Sequence, residues 1–97
     1  MQMAEGLDTG DMLLTYETKV GEKETAGELF DRLAQSGAEL LTQTLVKLDE
    51  ITPRPQDDAQ SCYAHMLDKQ MAVIDWSKSA HEIDCLIRGL NPWPIAL

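Results

Sequence analysis

The sequence predicts part of an α/β domain that does not close its own core, on three observations. One stretch alternates with a period of two, two others repeat every three or four residues, and the set supplies a single strand with no neighbour to pair with.

Over residues 11–20, Met12, Leu14, Tyr16 and Val20 share one parity and Thr15, Glu17 and Lys19 the other, the pattern of a half-buried strand between Gly10 and Gly21. Thr25-Ala26-Gly27-Glu28 has the form of a capping box, so a helix is expected to start there. Leu29, Phe30, Leu33, Gly37, Leu40, Leu41, Leu45 and Leu48 then recur at helical spacing. They predict one helix over residues 26–50 that buries this face and turns Asp31, Arg32, Glu39, Gln43 and Lys47 to water. Pro53 and Pro55 end it, because proline lacks an amide donor and pushes its predecessor out of the helical region.

Residues 53–61, with the Asp57-Asp58 pair, read as a solvated connector, and residues 62–68 fit either a short strand or one helical turn. A second capping box, Ser79-Ala80-His81-Glu82, opens a shorter helix with Ile83, Leu86, Ile87 and Leu90 on one face. Gly89 and Asn91-Pro92-Trp93-Pro94 stop it. A lone strand leaves its backbone groups unpaired, so its edges must be covered by strands from outside these residues.

The chain has 97 residues, 8 basic and 17 acidic, for a net charge of −9. Its few basic residues are scattered from Lys19 to Arg88, which excludes nucleic-acid or anionic-membrane binding by this stretch alone. No eighteen apolar residues run together, and Met1-Gln2-Met3-Ala4-Glu5-Gly6 lacks the regions of a signal peptide. The expectation is a soluble, cytoplasmic chain whose two cysteines, Cys62 and Cys85, are free thiols.

Four constellations could carry chemistry. Leu7-Asp8-Thr9-Gly10 contains the Asp-Thr-Gly triplet of aspartic proteases, but only seven residues precede Asp8 and a long helix follows, which does not fit that all-β fold. Cys62-x-x-His65 and His81-x-x-x-Cys85 have nearly zinc-finger spacing, yet lack the glycine-containing knuckle, and ordinary partly buried residues are the expected reading, with no metal. Asp8 and Asp11 around Gly10 suit a turn for backbone reasons alone. Their functional reading places Asp8 at the mouth of an open α/β sheet as a general acid or base. Asn91-Pro92-Trp93-Pro94 is either a stiff apolar pin between domains or a plain helix stop.

Taken in order, Met3-Ala4-Glu5-Gly6-Leu7-Asp8-Thr9-Gly10-Asp11-Met12, Tyr63-Ala64, Lys69, Ile74-Asp75-Trp76-Ser77 and Asn91-Pro92-Trp93-Pro94 resemble successive landmarks of the methionyl-tRNA formyltransferases. The resemblance covers essentially the whole chain. It implies formyl transfer from 10-formyltetrahydrofolate to the α-amino group of methionine on initiator tRNA. It also implies that Asp8 is the catalytic carboxylate and that the loop of Gly6, Leu7, Thr9 and Gly10 approaches the folate. The implied fold is the incomplete C-terminal part of a Rossmann-like formyltransferase domain. Residues 1–52 would end the catalytic domain, 53–76 form an extended connector, and 77–97 lead into a C-terminal domain.

The departures are as informative. The family's upstream Asn-x-His pair and Ser-Leu-Leu-Pro stretch do not occur, since the sole asparagine is Asn91 and neither His65 nor His81 follows one by two. Met66 stands where relatives often carry lysine, and Met1 resembles an internal methionine of the family. The expectation is therefore a fragment that is inactive by itself and reaches tRNA only through regions outside these residues. Two rivals are a fragment of a sugar-nucleotide formyltransferase and a non-enzymatic acidic helical module that binds partners through the Leu29 to Leu48 face.

Overall fold

The computed structural model describes residues 1–97, which divide into two compact units, Met1–Thr18 with Ala34–Tyr63 and Lys19–Leu33 with Ala64–Leu97. Helix α1, Ala26–Val46, contributes to both. No helix is long and apolar enough to cross a membrane.

In the first unit the expected strand over residues 11–20 does not form. Only Met12 pairs, in an isolated antiparallel bridge with Arg54 whose two N–H···O bonds measure 2.8 and 2.9 Å. The physical reason is the one that made the set look incomplete. Alternation states which side chains would be covered in a sheet, and no second strand of this chain runs alongside to cover them. Residues 13–20 consequently have no regular structure, and Tyr16 and Val20 are exposed.

The long helix ends four residues earlier than expected, at Val46, and a 3-10 turn at Leu48–Glu50 follows before Pro53. Its apolar stripe is present but uncovered within the chain. Leu29 and Leu40 are half-buried, whereas Phe30, Leu33, Leu41, Leu45 and Leu48 are exposed. Thr44 is the buried residue of α1, its hydroxyl donating to the Leu40 carbonyl at 2.7 Å. Arg32, expected in water, is half-buried and paired. Residues 62–68 form neither a strand nor a helical turn.

The second unit is built on two capping boxes, both as expected. At Thr25 the backbone N–H donates to Glu28 at 2.9 Å, and the Glu28 N–H returns a 3.3 Å bond to the threonine hydroxyl. At Ser79 the same reciprocal pair with Glu82 opens helix α2, Ala80–Gly89. Satisfying two otherwise orphaned amides at each start sets where the helix begins. Leu90, 5% exposed, and Ala72, 2% exposed, are the buried hydrophobic residues of the chain. The end of the chain closes back through Ile74 N–H to the Leu97 carbonyl and Leu97 N–H to the Ala72 carbonyl, both 2.8 Å.

Glu24 and two arginines tie this unit together. Arg32 donates from Nε and Nη2 to the two carboxylate oxygens of Glu24, each at 2.8 Å, and Arg88 Nη1 donates to the Glu24 carbonyl at 3.1 Å. The Arg32 hydrogen bonds, followed by the Gly21 amide, lower the Glu24 carboxyl from 4.5 to about 2. The folded state thus favours ionised Glu24, a contribution fully present above about pH 4.5 and lost as the pH falls towards 2. Thermal melting of the chain is expected to weaken across that window, and Glu24→Gln is expected to remove that part of the slope. An identical slope in the variant would show that the pair does not couple to folding.

Candidate functional site

The loop of the first unit holds Asp8, the carboxylate singled out by the sequence. Asp8 adopts φ 52°, in the left-handed region that aspartate and asparagine tolerate better than most residues. Its carbonyl and that of Gly10 both accept hydrogen bonds from Gln56 Nε2, at 2.9 and 2.7 Å. The Gln2 N–H donates to the Asp11 carbonyl at 2.8 Å and closes the loop from the other side. Gly10 is buried where the chain doubles back, so that a Cβ there would run into the Gln2 carbonyl. A Cβ on Gly6 would lie 2.5 Å from Thr9 Oγ1, an exposed side-chain atom that can turn aside, so this position is less constrained than Gly10.

These contacts fix the backbone and leave the side chains outward. Asp8 and Thr9 are exposed, and Leu7 is 76% exposed. The structure therefore brings Gly6, Leu7, Asp8, Thr9 and Gly10 into one turn held through its backbone, with the Leu7, Asp8 and Thr9 side chains exposed. Asp11 is half-buried and uses its carbonyl in that clamp, which suits the reading of a turn residue. Gln56 was not anticipated. It lies 48 residues from Asp8 in a stretch read as solvated connector, and no local pattern marks it.

The cysteine and histidine residues do not converge on a metal centre. His81 Nε2 lies 3.7 Å from Cys85 Sγ, but no group of three or more His, Cys, Asp or Glu side chains gathers anywhere in the chain. The proline-tryptophan turn does more than stop α2. The Gly27 N–H donates to the Asn91 carbonyl at 3.0 Å, and a Cβ on Gly27 would stand 2.9 Å from Pro92 Cδ. Glycine in the first turn of α1 thus admits the turn that follows α2. Phe30, Leu67, Pro92 and Trp93 share a cavity of about 430 Å³ beside it. Further along, Asp75 accepts from the Ser77 N–H at 3.0 Å and its hydroxyl at 2.6 Å, bonds that hold its carboxyl below the ordinary range and present Trp76 to the surface.

Residues 66–97 match the family described as formyl transferase, C-terminal domain. The whole chain is similar to methionyl-tRNA formyltransferases from several bacteria. With that of Clostridium novyi (strain NT) it is 60% identical over 99% of this chain and 32% of the relative. The corresponding protein of Clostridium perfringens (strain 13 / Type A) is 54% identical over 100% of this chain and 32% of its own length. That of Marinobacter nauticus is 49% identical over 97% and 31%. Over nearly its whole length the chain matches methionyl-tRNA formyltransferases. It spans about a third of the length of the curated relatives it matches. The resemblance read from the LDTGD loop and the Asn91-Pro92-Trp93-Pro94 turn thus holds across the chain. The formyltransferase C-terminal domain match begins at residue 66, within the stretch read as a connector.

Proposed function

We propose that this chain is a working segment of a cytoplasmic methionyl-tRNA formyltransferase, with Asp8 as its catalytic carboxylate. The supporting observation is the 60% identity over nearly the whole chain, joined to a loop whose backbone is locked while Asp8 stays exposed. In this reading residues 1–52 end a Rossmann-like catalytic domain, while α2 and its proline-tryptophan turn fall within residues 66–97, the stretch that matches the formyltransferase C-terminal domain. The exposed stripe of α1 is then the face that the rest of the catalytic domain covers.

The loop suits one side of a folate site. Gly6 and Gly10 offer backbone without Cβ, and Leu7 and Thr9 offer exposed apolar and hydroxyl surface to a flat ring. Bound 10-formyltetrahydrofolate supplies the formyl carbon. The amine of methionine on initiator tRNA must shed a proton as its nitrogen becomes an amide, and the Asp8 carboxylate accepts that proton. Its fixed backbone spares the entropy of placing the group at each turnover. A carboxylate handles the proton only, and polarising the formyl oxygen needs donors that this segment does not supply, so the 97-residue chain alone is not expected to formylate methionyl-tRNA. The basic surface for tRNA likewise lies in the remainder of the enzyme, given the charge of −9 here.

A chimera tests this. The matching third of the Clostridium novyi enzyme is replaced by this chain, and formylation of methionyl-tRNA is measured with 10-formyltetrahydrofolate. Activity close to that of the unaltered enzyme is expected. A chimera that folds and binds folate but transfers nothing would overturn the reading.

A further inference from the structure

The catalytic reading leaves unused a second cluster, on α2 in the second unit. Cys85 Sγ has two neighbours on the same helix, His81 Nε2 at 3.7 Å and Arg88 Nη2 at 3.5 Å. These spacings of four and three residues put all three side chains on one helical face. The thiol, imidazole and guanidinium line a cavity of about 470 Å³ with Val20, Ala26 and Leu29, and Cys85 is exposed to solvent. Arg88 is held in place from two sides, by Asp84 at 2.8 Å and by the Glu24 carbonyl at 3.1 Å. Its Nη2 is therefore fixed beside the sulfur and not free to wander off.

A thiol reacts through its anion, which gains most from a neighbouring cation or from a base that can take its proton. Cys85 has both. The other cysteine, Cys62, is also exposed, but sits in an irregular segment with no such pair arranged around it. The charged and titratable groups lining the cavity are mixed. Glu22 and Glu24 come from the segment before α1, and His81 and Arg88 from α2, with Glu24 paired to Arg32 and Arg88 to Asp84 outside the lining. These carboxylates disfavour approach of an anionic reagent and leave a small neutral electrophile unhindered.

We infer that Cys85 is an oxidant-reactive thiol site, activated by His81 and Arg88, that takes neutral peroxides. In the reaction the Cys85 sulfur attacks one peroxide oxygen as His81 takes the thiol proton, and the O–O bond breaks. The departing hydroxide recovers that proton as water. Sulfur is oxidised by two electrons to a sulfenic acid and the peroxide is reduced by the same two.

The test is site-resolved labelling of the full chain by mass spectrometry. Hydrogen peroxide is applied with dimedone to trap sulfenic acid, and iodoacetamide is used in parallel as a neutral alkylating probe. Cys85 is expected to react at least about tenfold faster than Cys62 in buffer, and at an equal rate in guanidinium chloride, where the arrangement is lost. His81→Gln is expected to slow Cys85 about tenfold and leave Cys62 unchanged, because that exposed side chain can be replaced without disturbing the helix. Arg88→Lys, monitored by circular dichroism for retained helix, is expected to slow Cys85 in the same selective way. Equal rates for the two cysteines in buffer, or a Cys85 rate untouched by His81→Gln, would overturn the assignment.

Discussion

Asp8→Asn is expected to lower kcat of the chimeric formyltransferase by about 10² to 10⁴, with folate binding and thermal stability little changed. The effect follows from how the loop is built. Asp8 occupies φ 52°, and asparagine is the residue that accepts this region about as well as aspartate. The contacts that fix the turn run through the Asp8 and Gly10 carbonyls to Gln56, and none depends on the Asp8 carboxylate. The substitution therefore removes a proton acceptor and leaves the clamp standing. Asp8→Ala would confuse the two effects, because alanine is strained at a positive φ by about 1 kcal/mol. If Asp8→Asn instead turns over at the unaltered rate, Asp8 carries no part of the proton transfer and the resemblance has assigned the wrong carboxylate. A rise in KM alone would make it a binding residue.

Gln56 permits a complementary test, because it separates the shape of the loop from its charge. One amide group holds two carbonyls, so Gln56→Ala loosens the turn and leaves Asp8 ionisable. The reading predicts a loss of kcat that is smaller than that of Asp8→Asn and accompanied by faster exchange of the loop amides.

What could be read in the sequence and what could not divides along the range of the interactions. Both capping boxes are contained in four residues, so Thr25-x-x-Glu28 and Ser79-x-x-Glu82 place the helix starts without any knowledge of the rest. Helix periodicity is similarly local, and α1 forms over most of its expected span. The strand over residues 11–20 failed because a strand is a property of a pair, and the alternation of Met12, Leu14, Tyr16 and Val20 cannot report whether a neighbour is present. The same holds for the helix face. Leu33, Leu41 and Leu45 record a requirement for cover, and this chain does not meet it. The place of Arg32 on the helix points it to water, but Glu24, eight residues away on an irregular segment, captures it. In the candidate site the turn around Asp8 and Gly10 is legible from its residue types. The glutamine that clamps it is not, since nothing near Gln56 distinguishes it from other polar connector residues.

The largest expected effect on stability is at Gly10. This glycine is required by crowding and not by an unusual φ, since no glycine of the chain has a positive φ. A Cβ at this position would collide with the Gln2 carbonyl and lie 2.8 Å from the Gln2 carbonyl carbon. No flexible side chain can move aside there, so the backbone must. The Gln2 to Asp11 and Gln56 to Gly10 hydrogen bonds both cross the place that has to open. Losing the pair at about 0.5–1.5 kcal/mol each, with about 1 kcal/mol of residual strain, gives an expected cost of about 2–4 kcal/mol for Gly10→Ala. Gly37→Ala is the control, because its Cβ meets nothing within 4 Å in the middle of α1. There the change is expected to stabilise by about 0.5–1 kcal/mol, as it does for a helical glycine in open space. Amide exchange at Gln2, Met12 and Arg54 reads the difference. Gly10→Ala is expected to accelerate all three, since the Met12 and Arg54 pairing closes the same loop at its far end, while Gly37→Ala leaves them slow. Unchanged protection in Gly10→Ala would mean that the turn carrying Asp8 is not held as described, and the argument from a pre-positioned carboxylate would fall with it.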